Sequence, residues 1–99
     1  MNKFELVLTE EAYKDIDNIS DYIALDNTQA AKNTVDLLYQ SCYTLTLFPN
    51  LGSYRDGILS KDTKIFIINK QFLIAYKIVE NKLVVLKITT RYTDICSLL

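Results

Sequence analysis

Histidine is absent from this chain, and the sequence has only two cysteines, one proline and two glycines. Without histidine the chain lacks the side chain that most often serves as acid or base near neutral pH, so any proton chemistry would fall to Tyr, Lys, Asp or Glu. Cys42 and Cys96 lie far apart and have no histidine to complete a zinc site with them. We therefore expect neither a metal nor a cofactor, and we interpret Cys42 as a buried structural thiol.

Long apolar runs are also missing. No stretch approaches the roughly 18 apolar residues of a membrane span, and residues 1–10 lack the apolar core of a signal peptide. An apolar content of 49% with little proline or glycine excludes a disordered or low-complexity chain. At 99 residues the chain is long enough for one core and too short for two. The sequence thus predicts a single domain over residues 1–99, located in the cytoplasm and without a membrane partner.

Charge is distributed unevenly along the chain, although the formal net charge is only −1. Residues 1–47 contain three lysines and eight acidic residues, whereas residues 48–99 contain eight basic and four acidic residues. This asymmetry indicates that an anionic partner would meet the C-terminal half of the chain. Solvated faces without any binding role explain the same pattern equally well.

Three runs rich in β-branched and aromatic residues occupy residues 64–91, separated by the polar pairs Lys70-Gln71 and Glu80-Asn81. Breaks this short join neighbouring antiparallel strands, so the pattern predicts a three-strand meander. Neither face of the middle strand, residues 72–79, is clearly polar, which indicates that both faces are covered. We expect Tyr76 of this strand in the core, with its hydroxyl at the rim.

The first half of the chain predicts one strand, from Phe4 to Leu8, followed by two amphipathic helices. Thr9 is placed to cap the first helix, and Glu10 and Glu11 suit its first turn. Apolar residues recur at spacings of three and four in both helices: Ala12, Ile16, Ile19 and Ile23 in the first, and Ala31, Val35, Leu38, Cys42 and Leu45 in the second.

A short polar segment, residues 26–28, separates the two helices, and Pro49 follows the second one. Helices joined so closely form an antiparallel hairpin, which we expect to pack on one face of the sheet. The predicted fold class is therefore α+β, with an N-terminal strand, a helix hairpin and a mostly antiparallel sheet that ends in the meander.

Several short motifs follow one another along the chain. They are residues 8–12 (Leu-Thr-Glu-Glu-Ala), residues 21–24 (Asp-Tyr-Ile-Ala), Ala30-Ala31, the Leu-x-x-Phe-Pro-x-x-Gly turn of residues 45–52, residues 72–76 (Phe-Leu-Ile-Ala-Tyr) and Asp94. With these motifs in this order, the chain from Phe4 to Leu99 resembles the RelE/ParE superfamily of toxins from bacterial type II toxin–antitoxin systems. The resemblance implies the RelE/ParE toxin fold.

The resemblance also implies a toxin that arrests growth and is silenced by a cognate antitoxin. ParE-like members poison DNA gyrase, whereas RelE-like members cut messenger RNA within the ribosome. The long helix hairpin is similar to the ParE-like branch. Two departures from the RNA-cleaving members favour the same branch: Thr90 stands where many of them have histidine, and the overall charge is acidic.

We therefore expect a growth inhibitor of the plasmid-stabilisation type that acts on gyrase, with a non-catalytic role favoured and enzymatic activity left open. The first alternative is a ribosome-dependent endoribonuclease. The second is a degenerate toxin that serves only as an antitoxin-binding module.

Basic and aromatic residues near the sheet are the target-contact candidates that the resemblance implies. We expect Lys64, Arg91 and Tyr92 to contact the gyrase or ribosome target. If the chain cuts RNA, the catalytic candidates are Arg55, Lys64, Arg91 and Tyr92, which would supply cations around the phosphate and a ring for stacking.

The sheet face away from the helices is the expected antitoxin surface. The sequence places an apolar patch with flanking lysines there: Leu73, Ala75, Lys77, Val79, Leu83, Val85 and Lys87. An antitoxin strand or apolar helix would bury this patch, and Lys77 and Lys87 would meet acidic antitoxin residues. A homodimer through the same face is the competing interpretation.

Overall fold

The computed structural model describes residues 4–54 and 62–90 of the chain. The candidates Arg55, Arg91 and Tyr92, together with Asp94 and Cys96, lie outside the described residues. In chain order the elements are β1 (Glu5–Leu8), α1 (Glu10–Ala24), α2 (Thr28–Leu47), β2 (Ser53–Tyr54), β3 (Lys64–Ile68), β4 (Phe72–Val79) and β5 (Lys82–Thr89). The predicted α+β order is confirmed, and β2, which the sequence analysis does not predict, directly follows the turn of residues 45–52.

Thr9 starts α1, as the sequence predicts. Its hydroxyl accepts a hydrogen bond from the Ala12 backbone N–H at 3.1 Å and donates one to the Leu86 carbonyl at 3.0 Å. The first contact satisfies an N–H of the first helical turn, where Glu10 and Glu11 also suit the helix dipole. The second contact fixes the start of α1 against β5.

Asn27 separates the two helices and caps α2. Its side-chain oxygen accepts the Ala30 N–H at 2.9 Å, and its own backbone N–H donates to the Ile23 carbonyl at 2.9 Å. Asn27 thus ends α1 and also caps the start of α2. Because the connection is this short, the two helices pack as an antiparallel hairpin. In the described part of the chain, neither α1 nor α2 meets the length and hydropathy that a membrane-spanning helix requires.

The strands form one sheet in the order β1-β5-β4-β3-β2. β3, β4 and β5 pair antiparallel, which confirms the meander, while β1 pairs parallel with β5. Asn69 and Lys70 in the first hairpin turn have φ values of 53° and 60°, and Glu80 in the second has 57°. Positive φ of this kind is the backbone shape that tight hairpin turns adopt.

The helix hairpin packs on one face of the sheet and encloses the main core. Its buried residues are Ala12, Ile16, Ile19, Leu38, Cys42, Leu45, Ile68, Phe72, Ile74, Tyr76, Leu83, Val85 and Ile88. Every helix residue in this core belongs to one of the two predicted apolar stripes. Burial of each large side chain contributes about 1.5 to 3 kcal/mol, so this interface is the main source of stability.

A β-bulge in β5 changes the face of the sheet on which the side chains after Val85 lie. Tyr76 pairs with Val85 and Ala75 with Lys87, so Leu86 is an extra residue between the two pairs. Simple alternation along β5 therefore fails after Val85, and the sequence carries no clear sign of the extra residue.

Leu83 and Val85 lie on the helix-covered face, and both are 0% exposed. The prediction that they share the open face with Leu73 is wrong. The turn after β4 pairs Leu83 with Ile78 and Val85 with Tyr76, and directly paired residues lie on the same face of a sheet. The short polar break at residues 80–81 fixes this register, because a shift of one residue would move every side chain to the other face.

Leu73 and Ala75 do lie on the sheet face away from the helices, but they are not displayed there. They are 2% and 0% exposed and form a second buried cluster with Ile65, against which Ile67 packs. The premise that Leu73 and Ala75 form an exposed patch is therefore wrong. The more general expectation, that both faces of the middle strand are covered, is confirmed for this half of the strand.

Cys42 is fully buried in the main core, and burial raises the pKa of its thiol from 9.0 to about 12. An unfolded chain therefore releases the thiol proton at a lower pH than the folded chain does. Because the folded pKa is the higher one, the stability that the buried, protonated thiol contributes is fully present below about pH 9. It is lost as the pH rises towards 12.

We expect the free energy of unfolding to fall across this alkaline range, with Cys42 alone contributing up to about 1.4 kcal/mol per pH unit. Urea titrations at several pH values measure the slope. Replacing Cys42 by alanine should make the fall in unfolding free energy with pH less steep. Part of the fall should remain, because the pKa values of Tyr39, Tyr76 and Lys87 are also raised. An identical slope in the variant would contradict the assignment to Cys42.

Candidate functional site

Lys64 opens β3 and is the predicted target-contact residue that lies within the described part of the chain. Its ammonium donates a hydrogen bond to the Asn50 side-chain oxygen at 2.8 Å and lies 5.1 Å from the centroid of the Tyr54 ring. Tyr54 is also the direct partner of Lys64 in the pairing of β2 with β3. The ring and the amide together hold the lysine at this edge of the sheet, with about 0.5 to 1 kcal/mol from the cation–π contact.

A buried tyrosine fixes the turn that carries Asn50 and Tyr54. The Tyr76 hydroxyl donates to the Pro49 carbonyl at 2.7 Å and accepts the Gly52 N–H at 2.9 Å. Tyr76 is 0% exposed, and burial is the main cause that raises the pKa of its hydroxyl. The predicted position of this hydroxyl at the rim of the core is confirmed, and the Phe-Pro-x-x-Gly turn closes around it.

Large apolar side chains surround this turn at the surface. Phe48, Leu51 and Tyr54 are 60%, 51% and 61% exposed. An exposed ring beside a fixed ammonium can stack on a nucleobase while the cation meets a phosphate, and it can also fill a pocket on a protein partner. The sequence analysis missed Asn50 and Tyr54. Their positions beside the glycine turn and directly before Arg55 are the signal that could have found them.

The sheet face away from the helices displays a smaller patch than the sequence predicts. We call it the open strip and define it as Val7, Lys77, Val79 and Val84. Register places Val7, Val84 and Lys77 side by side across β1, β5 and β4. These three residues are half-buried, and Val79 is 39% exposed. Val84 was missed because its pairing with Lys77 depends on the register between β4 and β5, and Val7 was missed because only the parallel pairing of β1 with β5 brings it beside Val84.

Lys87 does not point into the open strip. Its ammonium lies 2.9 Å from a Glu11 carboxylate oxygen and 3.5 Å from an Asp15 oxygen. The hydrogen bond to Glu11 is the main cause that raises the pKa of Lys87. Asp15 also accepts the Ile88 backbone N–H at 2.9 Å. The bulge at Leu86 pairs Lys87 with Ala75, so Lys87 lies on the face that the sequence predicts. Its ammonium is nevertheless already paired with Glu11 and Asp15 of α1. A role of Lys87 in antitoxin binding stays a prediction.

Metal chemistry has no visible site in the described part of the chain. Among residues 4–54 and 62–90, no group of three His, Cys, Asp or Glu side chains is arranged to hold a metal ion. What these residues provide is binding chemistry: a cation with an exposed ring at one edge of the sheet, and an apolar strip with one lysine on its outer face.

Solved structures share this arrangement of helices and strands. The chain matches a chain of the chromosomal ParDE toxin–antitoxin system of P. aeruginosa with a TM-score of 0.75 and 20% identity, covering 90% of this chain and 97% of that one. It matches a chain of the RelBE2 toxin–antitoxin complex of Mycobacterium tuberculosis with a TM-score of 0.69 and 15% identity, covering 92% and 94%. At these identities the likeness establishes the RelE/ParE toxin fold.

A conserved hypothetical protein of Helicobacter pylori is similar too, with a TM-score of 0.59, 19% identity and coverage of 88% of this chain and 93% of that one. No curated protein sequence matches this chain significantly. The family model described as the ParE toxin of the type II toxin–antitoxin system parDE matches residues 6–94. Since this match spans nearly the whole chain, the protein belongs to the ParE family of toxins from type II toxin–antitoxin systems, within the RelE/ParE superfamily.

Proposed function

We propose that this toxin arrests growth by acting on DNA gyrase and that a cognate antitoxin neutralises it by covering the open strip. The observation that carries the proposal is the ParE match over residues 6–94. The helix hairpin supports the same branch, since α1 has 15 residues and α2 has 20. Membership of the ParE family supports gyrase as the target in this proposal.

Growth, DNA supercoiling and messenger integrity, followed together after the chain is induced alone in a bacterium, test the target. We expect growth arrest with loss of negative supercoiling in a reporter plasmid, while messenger RNA stays intact. Co-induction of the cognate antitoxin is the matched control and should restore both growth and supercoiling. Arrest with unchanged supercoiling would contradict the gyrase target.

An RNA-cleaving toxin is the second candidate, and the pairing of Lys64 with Tyr54 favours it. An ammonium 5.1 Å from an exposed ring is suited to a nucleotide, whose phosphate and base would meet the two groups in turn. The same induction experiment separates the candidates, because codon-positioned cuts in messenger RNA indicate the endoribonuclease. Unimpaired growth would instead indicate a degenerate toxin that only binds its antitoxin.

The open strip is suited to an apolar segment that carries an acidic residue. Val7, Val79 and Val84 supply apolar surface, and Lys77 forms no salt bridge with any residue in the described ranges 4–54 and 62–90. β1 is an edge strand, so an antitoxin strand added beside it would extend the sheet next to Val7. These features support antitoxin binding on this face.

Reversing the charge of Lys77 tests this placement. We expect Lys77→Glu to weaken antitoxin binding by about tenfold, because the strip would then repel an acidic partner. The dissociation constant of the toxin–antitoxin complex is the measured quantity. Lys32→Glu is the control, since it makes the same charge change at an exposed position of α2 on the other layer. Equal dissociation constants for the two variants would place the antitoxin elsewhere.

A further inference from the structure

Four large side chains line the outer side of the helix hairpin. Tyr39, Tyr43 and Leu47 follow one another at every fourth position of α2, and Tyr13 of α1 is an electrostatic neighbour of Tyr39. Their exposed fractions are 39%, 48%, 38% and 50%, in that order. We call these four residues the tyrosine ridge. Spacing by four places the α2 residues along one side of the helix, so their exposed side chains form one continuous surface.

Acidic side chains lie beside the ridge. Burial is the main cause that raises the pKa of the Tyr39 hydroxyl, and the nearby Tyr13 hydroxyl and Asp17 carboxylate raise it further. These three groups therefore lie close together. Asp36 lies about one helical turn before Tyr39 on α2. Within the ranges 4–54 and 62–90, neither Asp17 nor Asp36 forms a salt bridge. The ridge therefore combines aromatic surface with unpaired negative charge.

The lysines of the two helices do not cancel this charge. Lys14 pairs with Glu10 on its own helix at 3.4 Å. Lys32 lies one turn before Asp36 on α2 but forms no salt bridge with it. Asp17 and Asp36 therefore stay without a salt bridge within the described residues.

A second copy of the chain is a poor occupant for this surface. Docking ridge to ridge would bring Asp17 and Asp36 of one copy towards the same acidic residues of the other, and like charges across an interface oppose binding. A segment with lysine or arginine beside apolar residues is complementary instead. Cations are attracted to tyrosine faces and to the free carboxylates, and aromatic rings are the side chains most often buried at protein interfaces.

We infer that the tyrosine ridge is a docking surface for a basic amphipathic helix of a partner protein. The groove between Tyr39, Gln40, Tyr43 and Thr44, with a volume of about 450 Å³, receives apolar side chains of that helix. Arginine or lysine residues on its flanks meet Asp17 and Asp36. The ridge lies on the helix layer and the open strip on the opposite sheet face, so this inference does not depend on the proposed target or on the proposed antitoxin surface.

A synthetic helical peptide with leucine on one face and arginine on the other is the probe. The same peptide with glutamate in place of arginine is its control. In titrations of the isotope-labelled full chain, we expect the arginine peptide to shift the amide signals of the ridge and its neighbours, with an affinity that falls as salt rises. The glutamate peptide should leave these signals unchanged.

The double variant Tyr39→Ser, Tyr43→Ser should bind the arginine peptide at least about tenfold more weakly, as expected for loss of two interface rings. Tyr22→Ser removes a tyrosine of α1 that is 77% exposed and outside the ridge, and it should bind as the unaltered chain does. Shifts confined to another surface, equal binding of both peptides, or full affinity in the double variant would each overturn the inference. Self-association that sedimentation shows to depend on Tyr39 would assign the ridge to a second copy and overturn it as well.

Discussion

Replacing Gly52 by alanine is expected to destabilise the protein by about 3 kcal/mol, the upper part of the range for overpacking a buried site. A Cβ atom at this position would lie 2.5 Å from the Tyr76 hydroxyl oxygen and within 2.9 Å of two ring carbons. Tyr76 cannot move aside freely, because it is fully buried and its hydroxyl is hydrogen-bonded to the Pro49 carbonyl and the Gly52 N–H. Glycine is therefore required here by close approach of a ring to the backbone.

Denaturant unfolding measures this effect, and Tyr76→Phe provides the second arm of a double-mutant cycle. Tyr76→Phe alone should cost about 1 to 3 kcal/mol, because the Pro49 carbonyl and the Gly52 N–H lose their partner. In that background Gly52→Ala should cost less than it does alone, since the closest atom has been removed. Ser53→Ala, at an exposed neighbouring position, is the control and should change little. Simple additivity of the two changes would show that the contact is not the cause.

The same contact connects the core to the candidate binding edge. The turn held by Tyr76 carries Asn50 and Tyr54, and these two residues hold Lys64. A loosened turn should therefore weaken target contact at Lys64 as well as lower stability, if that edge meets the target.

Replacing Asp15 by alanine is the second change with a large expected effect, about 2 to 3 kcal/mol of lost stability. The Asp15 carboxylate accepts the Ile88 backbone N–H and lies 3.5 Å from the Lys87 ammonium. The side chains of Asp15 and Lys87 are only 15% and 22% exposed. Without the carboxylate, a backbone N–H in the strand and a largely buried ammonium would each lose a partner.

Asp17→Ala is the matched control for this prediction. Asp17 lies two residues further along α1, is exposed and forms no salt bridge within the described residues. Its replacement should change the free energy of unfolding by no more than about 0.5 kcal/mol. Glu11→Ala should fall between the two, because Glu11 pairs with Lys87 but is 62% exposed. Comparable losses for Asp15→Ala and Asp17→Ala would refute the special role of the buried carboxylate.

Local patterns were sufficient to predict most of the helices and strands. The apolar stripes of α1 and α2, the cap at Thr9 and the meander agree with the structure because each depends on residues that are close together in the chain. The position of Tyr76 was predictable for a related reason, since an aromatic residue with a polar end among apolar neighbours belongs at the rim of a core.

The candidate surfaces were predicted less well, because each depends on contacts between distant residues. Leu83 and Val85 were placed on the wrong face because alternation was applied to each strand separately and not across the turn at residues 80–81. The ion pairs of Lys87 with Glu11 and Asp15 were not predicted, because they join β5 to a helix far away in the chain. Asn50 and Tyr54 became candidates only when their contacts to Lys64 were known.

The sequence by itself determined the order of the helices and of the strands other than β2, the stripe of each helix that is buried and the family of the toxin, since all three depend on spacings and short motifs. The tertiary structure alone decided which sheet residues form the open strip. That choice depends on the register between β4 and β5, which pairs Val84 with Lys77, and on the parallel pairing of β1 with β5, which adds Val7 beside Val84. The pairing of β1 with β5 joins segments far apart in the chain, and packing of that kind has no local signature.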